Sequence, residues 1–93
     1  MAIVTVFKLT TMTPEKYDRT IAGLDAAGAG NPPGRLFHVA AEAGDGTVVV
    51  TDVWESREKL QAFGEALIPV LRKVGVTPVE PEVTPARGYI FGK

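Results

Sequence analysis

The stretch Thr47 to Ser56, TVVVTDVWES, constrains what this chain can fold into more than any other part of it. A β-branched run of strand length alternates into Asp52 and Trp54, then breaks into a charged segment with helical character. Successive side chains of a strand point to opposite faces, so Asp52 and Trp54 share one face. A face that is acidic and aromatic at once suits the wall of a small-molecule cavity better than a plain contact between sheet and helix.

The segment before it, Arg35 to Ala43, reads as the strand's hairpin partner. Gly44-Asp45-Gly46 forms a three-residue loop with glycine at its last, left-handed position. The resulting register sets His38 opposite Asp52 and Leu36 opposite Trp54 on one face. Phe37 meets Val53, Val39 meets Thr51 and Ala41 meets Val49 on the other. That second face is small and mostly apolar and is expected to lie under the helices. The face with His38, Asp52 and Trp54 is expected to look into a cavity.

Ala2 to Leu9 is apolar on both sides through most of its length, the pattern of a central strand covered on both faces. Thr13-Pro14-Glu15 supplies an N-cap, a proline at the first helical position and an acid in the first turn, and Tyr17, Ile21 and Leu24 follow at helical spacing. Ala26 to Gly34 is a Gly/Pro-rich loop. The second helix runs from Ser56 to Gly75 with a stripe of Leu60, Phe63, Leu67, Leu71 and Val74, and Pro69 predicts a kink near Glu65 to Pro69. Pro78, Pro81 and Pro85 break up the following segment, so strand character is expected to return at Arg87 to Phe91. The order β, α, β, β, α, β predicts one α+β domain over residues 1–93. It is a ferredoxin-like βαββαβ unit with a four-stranded antiparallel sheet and both helices on one face. A chain of 93 residues gains from burying its bare sheet face, so a homodimer of face-to-face sheets is expected.

Composition closes several classes of function. The net charge of -1 offers no basic stripe for nucleic acid. With no cysteine and a single histidine, thiolate chemistry and the usual zinc sites are excluded, and neither metal nor cofactor is expected. No run is long enough to span a bilayer and no signal peptide stands at the start, so a cytoplasmic protein is expected.

The segment Asp52-Val53-Trp54-Glu55-Ser56 followed by Arg57-Glu58-Lys59-Leu60-Gln61-Ala62-Phe63 resembles the dimeric α/β-barrel superfamily, and within it the small antibiotic-biosynthesis-monooxygenase-like proteins. The resemblance implies the same fold and a homodimeric α/β barrel. It implies a reaction drawn from oxygenases, cyclases and isomerases. The haem-degrading members are similar but place a ligating histidine on the second helix, where this chain has Phe63. The quinone-forming monooxygenases resemble it at Trp54 but pair that residue with an Asn and an Arg, and the sole asparagine here is Asn31 in the loop. The polyketide cyclases are similar in using histidine with tyrosines, which here would be His38 with Tyr17 or Tyr89.

Histidine takes and gives protons near neutral pH, and a carboxylate beside it fixes its tautomer, so His38 and Asp52 are the candidate catalytic pair. Trp54, Leu36 and Tyr89 are the candidate walls for a small apolar or aromatic ligand. Tyr17, on the helix stripe, is expected to pack, and Arg35 and Arg87 at strand ends are expected to be solvated. The competing reading is a non-catalytic homodimer in which the same residues pack and pair.

Overall fold

The computed structural model describes residues 1–88 and 90. Strands β1 (Ile3–Leu9), β2 (Arg35–Glu42), β3 (Val48–Trp54) and β4 (Glu82–Pro85) alternate with helices α1 (Pro14–Ala26) and α2 (Arg57–Val74) in the expected βαββαβ order. The sheet is antiparallel throughout, in the order β2-β3-β1-β4. Both helix starts follow local chemistry. The Thr13 hydroxyl accepts from the Lys16 amide at 3.2 Å and the Ser56 hydroxyl from the Lys59 amide at 3.3 Å, each satisfying a donor the first turn leaves unpaired. Helix α2 continues through Pro69 to a left-handed cap at Gly75, where the Val76 amide bonds to the Leu71 carbonyl at 2.8 Å.

The β2–β3 hairpin has the expected turn. Gly46 takes φ 87°, the left-handed position, and the Ala43 amide donates to the Thr47 carbonyl at 2.8 Å. Asp45 braces it by accepting from the Thr47 amide and hydroxyl, and those bonds hold its carboxyl below the usual range. Pairing from there sets His38 opposite Asp52 and Phe37 opposite Val53.

Three expectations need correction. First, the faces are reversed: His38, Asp52 and Trp54 lie under the helices, and Val39, Thr51 and Val53 lie on the face the helices leave uncovered. The cause is the pairing with β1, which sets Ile3 opposite Trp54, Thr5 opposite Asp52, Phe7 opposite Val50 and Leu9 opposite Val48. Those residues carry most of the apolar volume, and they bury together with Phe63 and Leu71 of α2. The opposite face of β1 ends in exposed Lys8, so β1 is covered on one side alone. Second, a β-bulge between Arg35 and Phe37 leaves Leu36 unpaired and sets Arg35, not Leu36, opposite Trp54. Third, a strand forms at Glu82–Pro85, ahead of the expected Arg87 to Phe91, of which residues 89 and 91 lie outside the described residues. It pairs with Ile3 to Val6 at the sheet edge, where a proline's missing donor is tolerated. Arg87 and Gly88 lie beyond that strand. No described helix is long and apolar enough to cross a membrane.

Candidate functional site

The hairpin register and one turn of α1 build a hydrogen-bonded chain of three side chains. His38 Nδ1 lies 2.6 Å from Asp52 Oδ1, and its Nε2 lies 2.7 Å from the Tyr17 hydroxyl. Asp52 is 3 % exposed, so its carboxylate sits in a poorly solvated setting where a charge-assisted bond is strong. A carboxylate accepts, which makes Nδ1 the protonated ring nitrogen of the neutral imidazole and leaves Nε2 as acceptor for the Tyr17 O–H. The two rings lie within 6° of parallel. Both imidazole nitrogens are therefore committed, and the outermost group of the chain is a phenol rather than the histidine.

Tyr17 belongs to α1, and the hydroxyl of Thr20 on the same helix bonds back to the Lys16 carbonyl at 2.8 Å. Burial pushes the Tyr17 phenol above its ordinary value of 10.0, opposed by the guanidinium of Arg35 and reinforced by the Asp52 carboxylate. At neutral pH the phenol keeps its proton. Arg35 reaches this point because of the bulge. Strict alternation from Phe37 would turn it to the uncovered face, whereas the extra residue brings it onto the helix side. There its guanidinium stands 5.8 Å from the centre of the Phe63 ring and donates to the Gly30 carbonyl at 3.2 Å.

Tyr17, Arg35, His38 and Asp52 line a chamber of about 50 Å³ between sheet and helices, closed otherwise by apolar side chains including Phe7, Phe63 and Leu67. The volume fits one or two waters and falls well short of the roughly 300–1,000 Å³ of a ligand pocket. Of the residues expected to serve the site, His38 and Asp52 meet as anticipated. Trp54 is fully buried behind the chamber, its ring 5.3 Å from that of Phe63, and does not line it. Its indole N–H and the Thr5 hydroxyl are buried without a hydrogen-bond partner among the described residues. Leu36 sits half-buried in the bulge and does not line the chamber either. Tyr89 lies outside the described residues. Tyr17 and Arg35 are the members that sequence reasoning undervalued. Tyr17 shares the helix stripe with Ile21 and Leu24, so spacing alone gives it a packing role, and a bulge leaves no mark in alternation.

The fold has solved counterparts. SnoaB, a cofactor-independent oxygenase from Streptomyces nogalater, superposes with a TM-score of 0.61 at 18% identity, over 96% of this chain and 94% of its own. The chain shares the ferredoxin-like βαββαβ fold of that protein. A structure described as an antibiotic biosynthesis monooxygenase, from Chloroflexus aurantiacus, gives a TM-score of 0.58 at 24% identity, covering 98% and 97% of the two chains. The monooxygenase ActVA-Orf6 of Streptomyces coelicolor, solved with the ligand Nanaomycin D, gives 0.54 at 20% identity, covering 99% and 91%. At these identities the likeness is one of fold. No protein-family profile and no curated protein matches the chain.

Proposed function

We propose that this protein is a homodimer that moves a proton on a small, flat, mostly apolar phenol or ketone without a cofactor, as a monooxygenase, cyclase or isomerase of the antibiotic-biosynthesis-monooxygenase type. The unbroken chain from Tyr17 through His38 to Asp52 carries this reading. With Tyr17 donating to His38 Nε2, the lone pairs of the phenol oxygen are free to receive a substrate proton. As a substrate O–H gives its proton to Tyr17 Oη, the proton already on that oxygen passes to His38 Nε2. The products are a substrate oxyanion and an imidazolium held against the Asp52 carboxylate. The electron pair stays on the substrate oxygen, where the guanidinium of Arg35 offsets the new charge. An electron-rich phenolate of this kind is the species that reacts with dioxygen, with the overall balance phenol plus O₂ giving quinone plus water.

The homodimer is supported by the uncovered sheet face, on which Phe37 and Val39 remain 44% and 42% exposed beside Val4, Val6 and Val53. Burying such a face against a second copy is the economical arrangement for a small domain. A second reading, a non-catalytic ligand-binding homodimer, draws on the smallness of the chamber and the sealed position of Trp54.

An assay of oxygen uptake and product formation on a panel of anthrones, naphthols and linear polyketide mimics separates the two readings. The enzyme reading expects turnover that falls about 10²-fold or more in Tyr17→Phe and in His38→Ala, the scale on which a positioned acid or base contributes. Turnover that survives both substitutions removes this mechanism.

A further inference from the structure

A second, far larger space abuts the chamber. Between α2 and the extended segment Pro78–Val83 runs an open groove of about 920 Å³, with Ile68 and Val79 as exposed apolar members. Its volume lies in the range of pockets that hold drug-sized ligands. Four side chains, Phe7, Phe63, Leu67 and Leu71, line both spaces. The partition between an open apolar groove and the Tyr17 hydroxyl is therefore one layer of side chains thick.

We propose that the groove is the binding site for the body of an aromatic substrate, with Phe63 the gate through which its hydroxyl reaches Tyr17. This rests on the reading of Tyr17 as the proton-transferring group. Phe63 suits that part because of where α2 places it. Gly64 follows it on the helix, and a side chain built at Gly64 meets nothing within 4 Å, so the groove beside this turn of α2 is open. Pro69 donates no hydrogen bond to the Glu65 carbonyl one turn earlier, which removes a rung of the helix next to the gate. On its chamber side the Phe63 ring faces Arg35 and on its inner side Trp54, two flat groups against which it can tilt while keeping contact. The two compartments together ask for a ligand with a mostly apolar body in the groove and a hydroxyl at its inner end. The Arg57, Glu65 and Glu80 side chains at the groove lining leave room for polar substituents at its outer end.

The test uses 1-naphthol as probe and the full-length protein, with the His38 ring and the Val79 methyl groups as separate NMR reporters of chamber and groove. The proposal expects both reporters to shift with one dissociation constant in the unsubstituted protein. Gly64→Leu places a side chain in the groove at a residue that does not line the chamber and improves helix propensity, and circular dichroism checks that the variant is folded. It should weaken 1-naphthol binding about fivefold or more at both reporters. An unchanged affinity in Gly64→Leu, a response at one reporter alone, or no response at either overturns the groove and gate. The reading of Tyr17 is checked apart from this by absorbance of the naphtholate. If Tyr17→Phe still forms naphtholate while Gly64→Leu weakens binding, the proton route fails and the groove stands.

Discussion

Replacing Asp52 by asparagine isolates what the buried carboxylate does for the histidine. The substitution keeps side-chain volume, so no cavity opens, and it exchanges one acceptor for a group that accepts or donates. A hydrogen bond to a charged group is worth about 1.5–3 kcal/mol and a neutral one about 0.5–1.5 kcal/mol, so the expected loss is roughly 1–1.5 kcal/mol. Solvent screening trims this little, because the two side chains are 22% and 4% exposed. In a domain of this length 1 kcal/mol moves the unfolding midpoint by about 4–8 °C, so Asp52→Asn should lower Tm by roughly 4–12 °C. The tautomer is the sharper readout. Asp52 holds the proton on Nδ1, whereas the asparagine amide N–H₂ can donate to that nitrogen and drive the proton to Nε2, reversing the bond to Tyr17. Long-range ¹⁵N correlation spectra of the single histidine should show Nδ1–H as the neutral form in the parent and a shifted or mixed population in the variant. A Tm within 1 °C of the parent together with an unchanged tautomer would refute the claim that Asp52 orients His38.

Other consequences of the structure are open to measurement. Burial raises Tyr17 above 10.0, so the native state holds its proton at a pH where the unfolded chain has lost it. The stability this contributes is fully present below pH 10 and is lost as pH rises through the folded value, which denaturant titrations between pH 9 and 11 should show as a fall absent in Tyr17→Phe. Arg35→Met removes the cation that lowers the Tyr17 value, so ultraviolet difference titration should find that tyrosine ionising later still. Gly46→Ala at φ 87° meets no neighbour, so its cost of about 1 kcal/mol by chemical unfolding reflects backbone conformation alone. Phe37→Lys with Val39→Lys should convert a dimer to monomers by light scattering without loss of helical circular dichroism, and an unaltered dimer would place the contact elsewhere.

Much of the fold was legible because it is written locally. Thr13-Pro14 and Ser56 mark helix starts through hydrogen bonds made within one turn, and Gly44-Asp45-Gly46 sets a register that brings His38 opposite Asp52. What escaped is decided by distant partners. The hairpin alone offers a polar and an apolar face, and by that criterion Phe37, Val39 and Val53 belong inside. The pairing of β1 brings Ile3, Phe7 and Leu9 to the other face, and their volume outweighs the polarity of His38 and Asp52. A polar pair inside the core then needs a partner, which Tyr17 supplies from α1. The strand at Glu82–Pro85 is hidden in the sequence because Pro81 and Pro85 argue against a ladder, an argument that loses force at a sheet edge.

The bulge at Leu36 gives β2 one residue more than its partner strand needs. Deleting this single residue would make Arg35 and Phe37 direct neighbours in a regular ladder, and alternation would keep Arg35 opposite Trp54 on the helix side, beside Tyr17 and Phe63. The position should therefore accept both a range of side chains and its own removal in a saturation and deletion library. Among chains descended from a common ancestor, the spacing from Gly34 to His38 would then be free to vary by one residue while the face that Arg35 occupies persists.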